Sequence, residues 1–374
     1  MSWRDLLLGD LLTLQRGFDI TKAQQSAGPF PVVSSSGANS FHSEFKCNGP
    51  GVVIGRKGTL GTAFFLEGAY WPHDTSLWVK DFKGNDPRFC YYLLKSLGLE
   101  KYDVGSSNPT LNRNHLHLLP ARAPWPDVQI RIAEILSAYD DLIKNNTRRI
   151  ATLEDMARRL FEEWFGQDAD HGMPDLVRID ELIDFDPKTK VAKEGLKRFL
   201  PMPRVPTNSM VVSQWEEREG NAGSKFLNGD TLLARITPCL ENGKTAFVDF
   251  LPDGTAGFGS TEFIVMRGRV VPPEFVYCLA RSDAFRDHAI KSMSGATGRQ
   301  RVSSAAVAQF EIASPQPEQL EKFGQAAKPM FSMIRSLADA NTNLRTTRDL
   351  LLPKLISGEI EVRAPEEELE AAAP

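Results

Sequence analysis

A chain of 374 residues, 41% hydrophobic and 25% charged, is too long for one typical core and too apolar for extended disorder, so two globular domains of ~150 residues each are expected. No stretch approaches the ~18 consecutive apolar residues of a spanning helix, and the start, MSWRDLLLGDLL, carries acids where a signal peptide needs an unbroken apolar core. A cytoplasmic protein with no membrane partner is expected. The formal net charge of −4 speaks against nucleic acid only until it is divided along the chain. Residues 1–126 hold 13 Lys and Arg against 10 Asp and Glu, and residues 175–314 hold 18 against 18, whereas 127–174 hold 6 against 10 and 315–374 hold 7 against 10. Acidity is confined to two segments, and the other two leave DNA open as a partner.

In chain order, apolar runs bounded by glycine predict strands at Gly51 to Ile54, Thr62 to Leu66 and Leu77 to Val79, and Pro87 opens a short helix. From Ile132 a seam runs through positions 132, 136, 139, 143, 146, 150, 153, 157, 160 and 164, all apolar or aromatic except Asn146. Strict alternation of fours and threes is a coiled-coil seam. At ~1.5 Å per residue it spans about 50 Å, or roughly 15 base pairs of DNA.

A second set of strands is predicted at Thr231 to Ala234, Ala246 to Phe250 and Phe263 to Met266, followed by a short helix near Phe275. The second seam is Leu320, Phe323, Ala327, Met330, Ile334, Leu337, Asn341, Leu344, Arg348, Leu351 and Leu355. Pro329 predicts a kink or restart in it, and Pro353 a disturbed last turn. A polar seam residue costs stability but fixes register and partner, so Asn146 and Asn341 predict that the two helices pair with each other. The end, EVRAPEEELEAAAP, reads as a disordered tail.

The two sets are one unit written twice. Residues 75–96 align without gaps to 261–282, with Thr75/Thr261, Val79/Val265, Pro87/Pro273, Phe89/Phe275, Tyr91/Tyr277, Leu93/Leu279 and Ser96/Ser282 identical. Pro124-x-Pro126 then matches Pro315-x-Pro317, and Asn146-Thr147 matches Asn341-Thr342. The expected fold is α+β, with two mixed α/β globules separated by two long helices. The expected boundaries are 1–126 for the first globule, 127–173 for the first helix and linker, 174–315 for the second globule, 316–360 for the second helix and 361–374 for the tail.

Catalytic signatures are scarce: the chain has no phosphate-binding loop, dinucleotide fingerprint or nucleophile elbow. Cys47, Cys90, Cys239 and Cys278 form no Cys-x-x-Cys pair and read as small hydrophobes. Pro174-Asp175 with Asp186-Pro187-Lys188 fits a Mg²⁺ nuclease pattern, although Glu44-Phe45-Lys46 and Asp81-Phe82-Lys83 repeat half of it and Pro187 opposes the required strand. His115 and His117 would share one face of a strand, without a third ligand. His73-Asp74 lacks a nucleophile.

Paired glycine-rich basic loops stand out instead. The first globule has Arg56, Lys57 and Thr59 in GRKGTLG, and Ser106, Ser107, Asn108, Thr110, Asn112 and Arg113 in GSSNPTLNRNH. The second has Arg235, Thr237 and Lys244 in ARITPCLENGK, and Thr297, Arg299, Gln300 and Arg301 in SGATGRQRVSS. Glycine lets backbone approach phosphates, hydroxyl and cationic side chains contact phosphate oxygens, and Arg, Asn and Gln can read base edges.

The order globule, helix, globule, helix resembles the specificity subunit of type I restriction-modification systems. Further residues carry the resemblance: Pro124 to Ala133, Pro-Gln-Pro-Glu-Gln at Pro315 to Gln319, ARRLFEEWF at Ala157 to Phe165, and above all LRTTRDLLLPKLISGEI at Leu344 to Ile360. The resemblance implies two target-recognition domains on a pseudo-two-fold scaffold, each binding half of a split, asymmetric site on double-stranded DNA. It also implies that the helices pair antiparallel, set the spacing and dock two methyltransferase subunits, with restriction and translocase subunits joining them. No catalytic residue, metal or cofactor is then expected in this chain; S-adenosylmethionine, ATP and Mg²⁺ would belong to the partners. The competing expectations are a self-contained nuclease built on Asp175, Asp186 and Lys188, and a coiled-coil scaffold.

Overall fold

The architecture, from a computed structural model, is α+β; the structure describes residues 3–104, 109–166, 175–296 and 298–362. It divides into two compact units, Met1–Leu142 with Leu344–Pro374, and Ile143–Asn343. Each of the long helices, Pro126–Phe165 and Pro317–Ser357, gives one part to each unit.

In the first unit, strands Thr13–Arg16, Ser76–Asp81, Gly51–Gly55 and Ala63–Leu66 lie side by side in that order, all antiparallel. A second sheet pairs Phe30–Ser34 with Gly37–His42 and, in parallel, with Trp71–Pro72. The central strand Gly51–Gly55 is buried throughout, and a Cβ on Gly51 would stand 2.4 Å from the Tyr70 ring, so only glycine fits there. The helix Pro87–Ser96 starts where Pro87 supplies the helical φ and Asp86 accepts a hydrogen bond from the Phe89 amide at 2.7 Å. Its Phe89, Cys90, Leu93 and Leu94 meet Ile132 and Leu136 of the first long helix and Leu352 and Leu355 of the second in one core.

The second unit repeats the sheet. Strands Ile183–Phe185, Phe263–Gly268, Thr231–Ala234 and Thr245–Phe247 follow the same order, again antiparallel, and the helix Pro273–Arg281 follows the longest of them. A separate sheet of Glu216–Arg218, Lys197–Leu200, Gly257–Gly259 and Ser224–Phe226 lies outside that frame. The core is strongly aromatic: Phe161, Phe165 and Phe275 approach Phe323 with ring centroids 5.6–6.4 Å apart, edge to face as the ring quadrupoles prefer.

Within this unit Asn146 meets Asn341 while Phe161 meets Phe323, so the helices run antiparallel. The Asn146 Nδ2 donates to Asn341 Oδ1 at 3.0 Å, and Asn341 Nδ2 donates to Thr147 Oγ1 at 3.3 Å. The two asparagines are 9% and 3% exposed. Two buried amides that satisfy one another hold the register against slippage, since any shift leaves both unpaired.

Two expectations are corrected. The second long helix runs unbroken through Pro329 and Pro353. A proline in a helix interior costs about 3 kcal/mol, which the burial of Ala327, Phe331 and Ile334 on either side of Pro329 outweighs. His115 and His117 lie on a helical turn, Arg113–His117, because the Asn112 side-chain Oδ1 accepts from the Asn114 amide at 2.9 Å and starts it. His117 Nε2 accepts from the Leu14 amide at 2.8 Å, and burial, followed by the charges of Lys83 and Arg113, lowers its pKa. At the far end of the second helix Gly358 has φ +78°, and a Cβ there would lie 2.4 Å from the Trp3 ring. The glycine of the LISGEI segment therefore lets the chain close against its own beginning. Residues 363–374 of the expected tail lie outside the described residues.

Candidate nucleic-acid interface

The fold brings the two predicted loops of each globule together by the same backbone device. In the first unit the Leu111 amide donates to the Arg56 carbonyl at 2.9 Å, and Lys57 is bridged to Thr110. In the second the Val302 amide donates to the Arg235 carbonyl at 2.9 Å, the Thr237 amide donates to the Gln300 carbonyl at 3.0 Å, and Ile236 is bridged to Arg301. Each globule therefore has a two-loop edge with an arginine at the crossing.

In the first edge Lys57, Thr59 and Arg113 are exposed. Gly58 between the first two has φ +77°, the left-handed turn that glycine adopts without strain. Arg56 is half-buried and its Nη1 donates to the Asp74 carbonyl at 3.3 Å. Burial, with the charge of Arg16 added, lowers its pKa, and Asp74 opposes the shift. Asp74 itself accepts from Arg16 at 2.9 Å, and His73 hydrogen-bonds Thr75 Oγ1 and the Ile20 carbonyl at 3.0 and 3.2 Å, so this pair braces a loop. Thr110 donates its amide to Asp103 at 2.7 Å. Ser106, Ser107 and Asn108 lie outside the described residues.

In the second edge Arg299 is exposed, and half-exposed Arg301 makes a two-pronged ion pair with Glu262 at 2.7 Å. Arg235 Nε donates to the Val302 carbonyl at 3.0 Å. The Thr237 hydroxyl is shut away from solvent, and the Lys244 ammonium donates to the Met202 carbonyl at 2.8 Å, so both face inward and the lysine holds the loop from within. Thr297 lies outside the described residues.

Each unit also has a cleft. That of the first, about 560 Å³, is walled by Lys22, Gln24, Gln25, Ser34, Asn39 and Ser40. That of the second, about 640 Å³, has Lys188, Lys190, Lys225 and Arg235 on its walls. Sequence reasoning missed Lys190 and Lys225 and, in the first cleft, every wall residue but His73 and Asp74; of the second it had Arg235 as a loop residue and Asp186 and Lys188 in the acid-x-lysine pattern.

The nuclease pattern does not assemble. Asp186 has φ +48°; its amide donates to the Val265 carbonyl at 2.7 Å, its Oδ1 accepts from the Val265 amide at 2.9 Å, and its other oxygen is bonded to the Ser304 hydroxyl. Asp175 flanks a different strand pair, Leu176–Arg178 with Glu311–Ala313, where its carbonyl accepts from the Ser314 amide at 2.8 Å. Pro174 lies outside the described residues. Among the described residues no three acids, histidines or cysteines converge on a point that could hold a metal ion. Of the cysteines, Cys47, Cys90 and Cys278 are buried and Cys239 is partly so. No helix among the described residues is long and apolar enough to cross a membrane.

Comparison with known proteins matches this arrangement. A family model described as the type I restriction modification DNA specificity domain fits residues 2–155. The specificity subunit of the type I restriction enzyme MjaIX from Methanocaldococcus jannaschii is 27% identical over 308 residues, covering 73% of this chain and 69% of that protein. Residues 2–155 are thus similar to the DNA specificity domain of type I restriction-modification systems. The specificity subunit of the Escherichia coli enzyme EcoAI is 30% identical over 135 residues, 34% of this chain and 22% of that protein. The crystal structure of the S subunit from M. genitalium superposes with a TM-score of 0.65 at 15% identity, over 97% of both chains. That likeness is one of fold, and it takes in both globules and both long helices.

Proposed function

We propose that the chain is the DNA-recognition subunit of a type I restriction-modification complex, each globule reading one half of a split, asymmetric site. The observation that carries this reading is the repeated two-loop edge, with Leu111 bonded to Arg56 in one globule and Val302 to Arg235 in the other, in a chain similar over residues 2–155 to that specificity domain. Two similar but unequal edges suit two unequal half-sites. The recognition domains on this reading are 1–126 and 174–315. Helices within 127–173 and 316–360 set the spacer and dock two methyltransferase subunits, which restriction subunits join.

Lys57, Thr59 and Arg113 in the first edge, and Arg299 and Arg301 in the second, reach the duplex. Arg56 and Arg235 stand at the crossings, Thr110, Asn112 and Gln300 shape the loops, Thr237 faces inward and Lys244 braces its loop. The chain makes no catalytic contribution; methyl donor, ATP and Mg²⁺ serve the partner subunits. The relatives are all named specificity subunits, which supports that division of labour.

The test is modified-base sequencing of genomic DNA from the native host with and without the gene. Loss of methylation at one bipartite motif is the expected result, and unchanged methylation in a host whose system is active would overturn the reading. Arg56→Ala and Arg299→Ala should each weaken discrimination at a different half-site.

A further inference from the structure

We propose that the cleft beside Asp186 in the second globule is a sequence-independent grip on the phosphate backbone of duplex DNA, with Lys188, Lys190 and Lys225 as its contacts and Asp186 as a positioning residue. The proposal rests on the DNA-recognition reading and deepens it. Among the described residues four cationic side chains, Lys188, Lys190, Lys225 and Arg235, line this cleft of about 640 Å³, and Asp186 is the one carboxylate on its walls.

That carboxylate is already engaged by the Val265 amide and the Ser304 hydroxyl. The neighbouring acids are engaged too: Asp230, 1% exposed, takes two hydrogen bonds from Arg267 at 2.6 and 2.7 Å, and Glu262 takes Arg301. Among the described residues no ion pair reaches Lys188, Lys190 or Lys225. The cleft therefore carries uncompensated positive charge.

The loop that bears two of these lysines is fixed at three points. Asp186 clamps it to the strand Phe263–Gly268 from both its amide and its side chain. Between the lysines, Thr189 Oγ1 accepts from Arg267 Nη2 at 3.1 Å, which ties it to the buried Asp230 pair. A loop already held in place loses little further entropy when it grips a ligand.

The lining also says what is gripped. Lysine is a compact charge with rotatable donors and no planar fork, suited to phosphate oxygens rather than to a base edge. Among the described residues no Asn or Gln lines this cleft, unlike that of the first globule, and Ser224 turns its hydroxyl to the Phe263 carbonyl at 3.0 Å. Arg235 joins the cleft wall to the two-loop edge, so a duplex lying on that edge continues over the lysines.

The experiment uses the full chain assembled with its methyltransferase partner and a 40-base-pair duplex of random sequence. Affinity is read by fluorescence anisotropy between about 50 and 200 mM salt for the wild type and for the triple variant Lys188→Ala, Lys190→Ala, Lys225→Ala. Each lost phosphate contact removes about 0.9 from the slope of log affinity against log salt. The expected result is a slope smaller by about 2 to 3, weaker binding of random duplex, and an unchanged methylated motif in the host genome. A triple variant with the wild-type slope overturns the grip while leaving the recognition reading intact. A triple variant with an altered motif overturns it in favour of base reading. A wild-type complex that neither binds duplex nor methylates a bipartite motif overturns both readings. An unchanged thermal midpoint shows that the triple variant is folded.

Discussion

The two globules share a frame and differ in dressing. In both, an antiparallel sheet with the same strand order feeds a proline-started helix, and an arginine carbonyl ties two loops into one edge. Among the described residues the first lines its cleft with amides and hydroxyls beside Asp19, Asp74 and a single lysine, the second with three lysines. The first builds its core from the middle of the sheet and both helices; the second adds a cluster of phenylalanines that bridges the helix pair. Buried sheet and helix positions must satisfy packing and hydrogen bonding together, whereas loop and cleft side chains face water and can change without cost to the frame.

The strongest way to break this comparison is to empty the aromatic cluster. Phe323 is fully buried, so Phe323→Ala should cost the second unit about 3–5 kcal/mol. Hydrogen exchange should then show lost protection within Ile143–Asn343 and native protection in the sheet of the first unit; equal loss in both would mean that the units are one cooperative block.

A second contrast is pH-dependent. Burial pushes the Asp249 carboxyl up to about 6, against the opposing pull of Arg335 3.3 Å away. A carboxylate with a raised folded pKa favours the folded state most in its protonated form, so this stability is present at low pH and is lost as pH rises from about 4 to about 6. Asp249→Asn should remove that dependence, worth about 3 kcal/mol at ~1.4 kcal/mol per pH unit. Urea unfolding of the second unit at both ends of the window checks it; parallel curves for the variant and the wild type would refute it.

A smaller effect separates the two tyrosines that reach the first long helix. Tyr277 donates to Glu154 at 2.6 Å in full burial, where Glu154, 5% exposed, also accepts from the Met210 amide at 2.9 Å. Tyr92 donates to Asp140 at 2.6 Å, but Asp140 is more exposed and also pairs with Arg348. Tyr277→Phe should cost about 2 kcal/mol, because it leaves a buried carboxylate short of a donor, and Tyr92→Phe about 0.5–1 kcal/mol. Equal midpoints for the two variants would refute the difference.

The smallest effect tests the helix register. Asn146→Leu strands the Asn341 amide and should cost about 1 kcal/mol, which Leu at both positions recovers. The double variant should nevertheless alter assembly or half-site spacing, read as stoichiometry and as the methylated motif; an unaltered stoichiometry and motif would limit the pair to a packing role.

What could be read directly from residues was local or periodic. The duplication shows as a gapless alignment because the strand Ser76–Asp81 and the helix Pro87–Ser96 recur without insertions. The seam shows because a spacing of 3.5 residues places Ile132, Leu136, Ile143 and Ile150 on one stripe, all of them buried. Asn146 and Asn341 were legible as pairing residues because an amide in an apolar stripe needs a partner. The loops were legible as basic and glycine-rich, which reports composition and leaves open which side chains face outward.

Tertiary structure decided the rest. It turned Thr237 and Lys244 inward and left Lys57, Arg113 and Arg299 outside. It carried the helix through Pro329, because flanking burial outweighs one lost hydrogen bond. It gathered Lys188, Lys225 and Arg235 from three separate stretches onto one cleft, and used Asp186 as a clamp where the residue pattern offered a metal ligand. Sequence alone determined the repeat, the seam and the pairing asparagines, since each depends on spacing along the chain. The cleft and the direction of each loop side chain depend on which strands become neighbours, and burial and hydrogen bonding settle that only when the whole sheet has formed.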